Sequence, residues 1–68
     1  MNATVNGEAR VLPTGATVAR VVELLDVAPD ARGIAVAVDG EVVARSRWDA
    51  TVLRDGSTVE VVAAIGGG

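Results

Sequence analysis

The sequence predicts an α+β fold in which one helix packs on a mixed sheet of four or five strands. Apolar residues recur at helical spacing in only one stretch, and strand-like apolar runs lie on both sides of it. The pairs Asn6-Gly7 and Asp39-Gly40 predict hairpin turns, because these residues tolerate positive φ. With a single helix available, the sheet must be covered on one face only, which defines the α+β layer arrangement.

The first hairpin is predicted over residues 3–12, and its register can be chosen in two ways. A two-residue turn at Asn6-Gly7 would place Val5 opposite Glu8 and interrupt the apolar face of the strands. A longer loop that includes Glu8 would place Val5 opposite Ala9 instead. We favour the longer loop, because burial of one apolar face normally sets the register.

The helix is predicted to begin after Thr17, whose hydroxyl can cap an otherwise unpaired amide. One helical face carries the apolar residues Val18, Val21, Val22 and Leu25. Because β-branched residues are only fair helix formers, this helix should depend on packing against the sheet. Pro29 is expected to end it, since the residue before a proline is disfavoured in the α region.

The run 34–38 predicts a central strand with two unlike faces. Its even-numbered residues are large and are assigned to the helix, which leaves Ala35 and Ala37 on the opposite face. Residues 41–44 form the next predicted strand, 45–49 an irregular stretch and 50–53 a short edge element.

The last predicted strand spans residues 58–64 and follows a turn at residues 54–57. Alternation places Val59, Val61 and Ala63 on one face and Thr58, Glu60 and Val62 on the other. Two strands, one helix and two or three later strands in so short a chain predict a β-grasp sheet around the helix. We therefore expect a β-grasp domain over residues 1–64 and a mobile C-terminal tail over residues 65–68.

Composition excludes several classes of function. The chain has no Cys, His or Lys, so it lacks disulfides, the usual zinc ligand sets and the common nucleophile–base pairs of an independent enzyme. Six Arg against nine acidic residues give a net charge of −3, which argues against nucleic acid as a partner. With no signal peptide and no apolar run long enough for a membrane span, we expect a cytoplasmic protein.

The terminal glycines Gly66, Gly67 and Gly68 are the chain's most distinctive feature. Glycine orders at a high entropic cost and has no side chain to pack, so a frayed end is one interpretation. The other is that a thin tail carries its carboxylate into a partner's active site. Extended, residues 64–68 would reach roughly 17 Å at about 3.3–3.6 Å per residue.

Two further features suggest a partner-docking surface. Ala35, Ala37 and Val62 would form an apolar sheet face away from the helix, which is either a docking surface or a face covered by a loop. Trp48, the single aromatic residue, lies beside two arginines. It is either a packing residue that closes one end of the sheet or a partner contact, since Trp and Arg are enriched at interfaces.

The segments RGIAVAVDGEVV (32–43), RSRW (45–48), LRDG (53–56) and VEVV (59–62), followed by the terminal glycines, resemble the ThiS family. These are ubiquitin-like β-grasp sulfur carriers of thiamine biosynthesis. The resemblance covers residues 17–68 and is most specific from Gly33 onward. Two departures are Ser57, where the family often has an acid, and Gly66, where it often has Gln.

The resemblance implies that this chain is a protein co-substrate and supplies no catalytic side chain. An E1-like adenylyltransferase of the ThiF type would use ATP and Mg²⁺ to adenylate Gly68, and a sulfur donor would convert it to a thiocarboxylate. A thiazole synthase of the ThiG type would then accept the tail, with Gly66 and Gly67 threading the active site. The chain itself would bind no cofactor or metal and would be monomeric when free.

Other functions remain open at this point. The small subunit of molybdopterin synthase shares the fold and the tail, and a carrier for another sulfur-transfer pathway would look similar. A protein modifier attached through Gly68 belongs to a different class, as does an interaction module with an inert tail.

Overall fold

Five strands and one α-helix make up the computed structural model, which describes residues 1–25 and 33–63. In chain order the elements are β1 (Asn2–Val5), β2 (Glu8–Val11), α1 (Val18–Leu24), β3 (Ile34–Val38), β4 (Glu41–Val43), a 3₁₀ helix (Arg45–Arg47) and β5 (Thr58–Ala63).

The strands form one mixed sheet in the order β2-β1-β5-β3-β4. The two hairpins are antiparallel, β5 pairs antiparallel with β3, and β5 pairs parallel with β1. The last of the described strands, β5, is therefore inserted between the two hairpins at the centre of the sheet. With α1 packed on one face, this topology confirms the predicted β-grasp fold.

The register predicted for the first hairpin is wrong. Asn6-Gly7 forms a two-residue turn, and Val5 lies opposite Glu8 rather than Ala9. The physical reason is that β2 is an edge strand whose four residues are all exposed. Because β2 buries no apolar face, only the turn sets the register, and Asn6 (φ +50°) and Gly7 (φ +81°) have the positive φ values of a type I′ turn.

The helix begins as predicted, with Thr17 as N-cap and its hydroxyl accepting a hydrogen bond from the Arg20 amide at 3.3 Å. The amides of Val18 and Ala19 donate to the carbonyls of Thr51 and Trp48, so a distant segment completes the cap. The helix ends at Leu24, earlier than predicted. Pro29, the predicted stop, lies outside the described residues.

The stretch after β4 is more ordered than predicted. Residues 45–47 form a 3₁₀ helix, where an irregular stretch was expected. The predicted edge element at 50–53 is reduced to one isolated antiparallel bridge between Val52 and Thr17. This segment crosses the N-terminal end of α1, so its geometry depends on contacts with the helix and not on local pattern.

The core lies between α1 and the helix-facing side of the sheet. Val36 and Val59 are buried and Val61 is half-buried, which confirms the faces predicted for β3 and β5. The buried hydrophobic residues of the core are Ala3, Val5, Leu12, Ala16, Val18, Val21, Val22, Val36, Trp48, Leu53 and Val59. Valine dominates this list, so the core consists mainly of small branched side chains.

Candidate functional site

The C-terminal strand β5 is the element that leads to the terminal glycines. It pairs with β1 at Thr58 and Val59 and with β3 from Val59 to Ala63. A strand paired on both sides is held by two hydrogen-bonded ladders. Residues 64–68, with the predicted site Gly66, Gly67 and Gly68, lie outside the described residues, so the mobile tail stays a prediction.

The beginning of β5 is fixed by the turn of the second hairpin. The Asp39 carboxylate oxygen Oδ1 accepts a hydrogen bond from the Thr58 amide at 2.9 Å. In return the Asp39 amide donates to the Thr58 carbonyl at 2.8 Å. This reciprocal pair holds the first residue of β5 on the side that faces β3, at the end of the strand farthest from the tail.

The tail-proximal part of β5 is held by the turn of the first hairpin. The Asn6 amide donates to the Val59 carbonyl at 2.9 Å, and the Asn6 side-chain oxygen Oδ1 accepts from the Val61 amide at 2.8 Å. The second bond lies two residues beyond the last backbone pair between β1 and β5, Val5 with Val59. The sequence marked Asn6 as a turn residue and gave no sign of this long-range bond.

Three of the predicted docking residues lie together on the sheet face opposite the helix. Ala35 pairs directly with Val62, and directly opposed residues of an antiparallel pair share a face. Ala37 lies two residues along from Ala35 and therefore shares it as well. Val62 is 61% exposed and Ala35 is exposed, so α1 does not cover this patch.

Val42 is a member of this face that sequence analysis missed. It pairs with Ala37 across the second hairpin and is 78% exposed. The signal was present, because a two-residue turn at Asp39-Gly40 places Val42 opposite Ala37 by register alone. Glu60, also opposite Ala37, is the charged residue that these pairings bring onto the same face. We call Ala35, Ala37, Val42 and Val62 the outer apolar patch.

Trp48 does not belong to this patch, so of its two predicted roles the packing residue is confirmed and the partner contact on the docking face is wrong. Its side chain is only 4% exposed and lies in the core. The indole Nε1 donates to the Val43 carbonyl at 3.0 Å, and the Arg45 guanidinium lies 5.0 Å from the ring centroid. A buried indole needs a partner for its N–H, and the backbone of β4 supplies it. Trp48 is therefore a packing residue.

The buried polar residue Ser57 has a structural role. Its hydroxyl accepts from the Arg54 amide at 2.9 Å inside the turn that precedes β5. Within residues 1–25 and 33–63, no group of three or more acidic side chains is placed to hold a metal ion. No helix in this part of the chain is long and apolar enough to cross a membrane.

The fold and the position of its last strand define a class of protein. It is a small β-grasp domain whose central strand continues into a C-terminal glycine sequence. The ThiS family model matches residues 2–68. The chain belongs to the ThiS family, and the resemblance seen in the sequence is confirmed.

Two solved structures support this assignment. The crystal structure of a thiamine biosynthesis protein (ThiS) from Geobacter metallireducens is 37% identical, with a TM-score of 0.81 and full coverage of both chains. The solution structure of a thiamine biosynthesis protein from the same organism is also 37% identical, with a TM-score of 0.80, and covers 100% of this chain and 88% of the other. A comparison with curated proteins found no match. Together, the family and these neighbours support a sulfur-carrier role in thiamine biosynthesis.

Proposed function

We propose that this protein carries sulfur as a thiocarboxylate on Gly68 for thiazole formation in thiamine biosynthesis. The observation that carries the proposal is the placement of β5. It is the central strand of the sheet, paired on both sides, and the five residues that follow it end in three glycines. The family match extends through these glycines to residue 68.

The chemistry needs activation by a partner, because a carboxylate is an anion at neutral pH and a poor electrophile. In the proposed sequence, the Gly68 carboxylate attacks the α-phosphate of ATP on a ThiF-type adenylyltransferase that uses Mg²⁺, and pyrophosphate leaves. The sulfane sulfur of a persulfide donor then attacks the acyl carbon and displaces AMP. A thiol cleaves the resulting acyl disulfide and releases the thiocarboxylate. A ThiG-type thiazole synthase consumes it and returns the carboxylate.

The chain itself contributes presentation and not catalysis. Glycines 66 and 67 have no side chains, so the end of the chain can enter a channel that larger residues could not. The sheet supplies a rigid base for that end. In this scheme the protein is a monomeric, cytoplasmic co-substrate, and ATP and Mg²⁺ belong to the activating enzyme.

We further propose that the outer apolar patch is the surface on which the activating enzyme and thiazole synthase dock. Val42 is 78% and Val62 61% exposed there, and the neighbouring Ala35 and Ala37 contribute only small apolar side chains. Exposed apolar surface of this kind is a common mark of a protein interface. Glu60 on the same face would favour a partner with a basic residue at the contact.

The proposed transfer is tested by intact mass after incubation with ATP, Mg²⁺, a sulfur donor and an activating enzyme from the protein's own source. We expect one oxygen to be replaced by one sulfur, at Gly68. A chain that lacks Gly67 and Gly68 should remain unchanged in mass. If the mass of the full-length chain does not change, although the same activating enzyme modifies another carrier, the proposal is wrong.

The pathway is tested by giving the thiocarboxylate form to two acceptors. Thiazole synthase should accept the sulfur, and the large subunit of molybdopterin synthase should not. Sulfur transfer to the molybdopterin synthase subunit alone would show that the protein serves molybdopterin biosynthesis and not thiamine biosynthesis. Conjugates of the chain on a denaturing gel would instead favour a protein modifier.

The docking surface is tested with Val62→Glu and, as a matched control, Val52→Glu. Val62 and Val52 have similar exposure, 61% and 58%, but Val52 lies outside the sheet. We expect Val62→Glu to reduce the rate of activation at limiting carrier by more than about tenfold, as for a residue in an interface centre. Equal rates for the two variants would show that the patch is not the docking surface.

A further inference from the structure

We propose that Asn6 is a positioning residue for the C-terminal tail, which it holds through the Val61 amide. This inference rests on the proposed function, because it assigns the bond a role in presenting Gly68 to the activating enzyme. A side chain from the other end of the chain would thus fix the strand that leads to the tail.

The two sides of β5 are supported to different lengths. On one side, β3 pairs with β5 as far as Ala63. On the other side, β1 pairs only with Thr58 and Val59, because the chain turns back after Val5. Beyond Val59, the backbone of β1 offers no further partner to β5.

The Asn6 side chain extends the shorter side. Backbone groups along a strand point alternately to its two edges, and the Val61 amide points to the same edge as the Val59 carbonyl, toward the first hairpin. The Asn6 oxygen Oδ1 occupies the place of a strand carbonyl and accepts from the Val61 amide at 2.8 Å. Support on this side therefore continues to within two residues of Ala63, the end of β5.

Turn geometry alone does not require an asparagine at this position. The φ of +50° at Asn6 is in the left-handed region, where glycine is at least as favourable. Glycine would keep the turn but provide no acceptor for Val61. The requirement that distinguishes Asn6 from glycine is therefore the bond to β5.

The bond matters for sulfur transfer because it restricts the direction in which the end of β5 points. If β5 were paired only with β3 after Val59, its end would sample a wider range of directions. The tail would then lose more conformational freedom when it enters an active site, and fewer docked complexes would hold Gly68 in a reactive position. Docking through the outer apolar patch would be unaffected, so the loss would fall on kcat and not on KM.

The test compares Asn6→Gly with Asp39→Gly. Glycine tolerates the positive φ of either turn, so each variant removes only a side-chain acceptor. Asn6→Gly removes the acceptor of the Val61 amide and Asp39→Gly that of the Thr58 amide, toward opposite ends of β5. Asn6→Asp restores an acceptor at the tail side. Amide hydrogen exchange and steady-state kinetics with the activating enzyme are measured for all three variants and for the unaltered protein.

In Asn6→Gly we expect the Val61 amide to exchange about five- to tenfold faster, the effect of losing one hydrogen bond. In Asp39→Gly this acceleration should appear at Thr58 and not at Val61. Equal acceleration of both amides in both variants would reflect global destabilisation and would overturn the inference. An unchanged Val61 exchange rate in Asn6→Gly would also overturn it.

In the kinetic arm we expect Asn6→Gly to lower kcat by about threefold to tenfold with little change in KM, the fold-change of a lost net hydrogen bond. Asp39→Gly and Asn6→Asp should retain the original kcat. An unaltered kcat in Asn6→Gly, or an equal loss in Asp39→Gly, would remove the positioning role while leaving the sulfur-carrier proposal intact. Failure of the unaltered protein to be activated would remove both.

Discussion

The two hairpins of this protein contain the same turn and use it on the same strand. Asn6 and Asp39 both have φ of +50°, and the glycines that follow them have φ of +81° and +87°. In each turn, the Oδ1 of the first residue accepts a hydrogen bond from an amide of β5. The two loops are thus alike in sequence, conformation and bonding.

They differ in which end of β5 they hold. Because β1 runs parallel to β5, its turn meets the strand on the side of the tail, whereas β3 runs antiparallel and its turn meets the start of the strand. Asn6 therefore reaches Val61, and Asp39 reaches Thr58. The comparison shows that strand direction decides which of two equivalent turns can influence the C-terminus.

The largest loss of stability is expected from substitutions in the inner strand of each hairpin. Val5 in β1 and Val36 in β3 are each 1% exposed, whereas Val11 and Val42 in the outer strands are 82% and 78% exposed. Val5→Ala and Val36→Ala should each lower the free energy of unfolding by about 2 kcal/mol, through lost burial and the cavity left behind. Urea denaturation measures this.

The outer-strand variants Val11→Ala and Val42→Ala are the controls and should change stability by less than about 0.5 kcal/mol. A cost at Val5 very different from the cost at Val36 would show that the hairpins do not contribute equally to the core. A large cost at Val42 would mean that the outer apolar patch is needed for folding.

A smaller effect is expected at the turn glycines. A Cβ added at Gly7 or Gly40 would meet no atom within 4 Å, so only the backbone conformation opposes a side chain. Gly7→Ala and Gly40→Ala should each cost about 1 kcal/mol, the strain of a left-handed residue with a Cβ. Thermal unfolding followed by circular dichroism would show whether the costs match; a difference would break the equivalence of the turns.

The smallest effect on stability is expected from exchanging Asn and Asp at the first position of the two turns. Asn6→Asp and Asp39→Asn each retain an Oδ1 acceptor and a residue that tolerates positive φ. Each change should alter the free energy of unfolding by less than about 0.5 kcal/mol, measured by urea denaturation. A larger loss at one position alone would show that its turn depends on the charge of the side chain.

The first hairpin shows where sequence reasoning failed and why. The register was predicted from burial of an apolar face, but β2 has no buried face because it lies at the edge of the sheet. Only the Asn6-Gly7 turn was left to fix the pairing. The strand order that makes β2 an edge depends on the insertion of β5, which is a long-range event.

The candidate site was predicted in part. Alternation along β3 and β5 correctly placed Ala35, Ala37 and Val62 on one face, because strand periodicity is local. The sequence left Trp48 as either a packing residue or a partner contact, because its burial depends on its packing in the core beside β4. Nothing in the residues around Trp48 distinguishes a core indole from an exposed one.

By itself, the sequence determined the helix and its apolar face, the five strands, the positions of the two hairpin turns and the family. The helix, the strands and the turns depend on φ preferences or on periodicity over a few residues, and the family follows from which residues occupy those elements. Tertiary structure alone decided that β5 lies between β1 and β3, and therefore that Asn6 meets Val61 and Asp39 meets Thr58. The physical reason is that these bonds join residues 55 and 19 positions apart, and chain pattern does not encode which distant strands become neighbours.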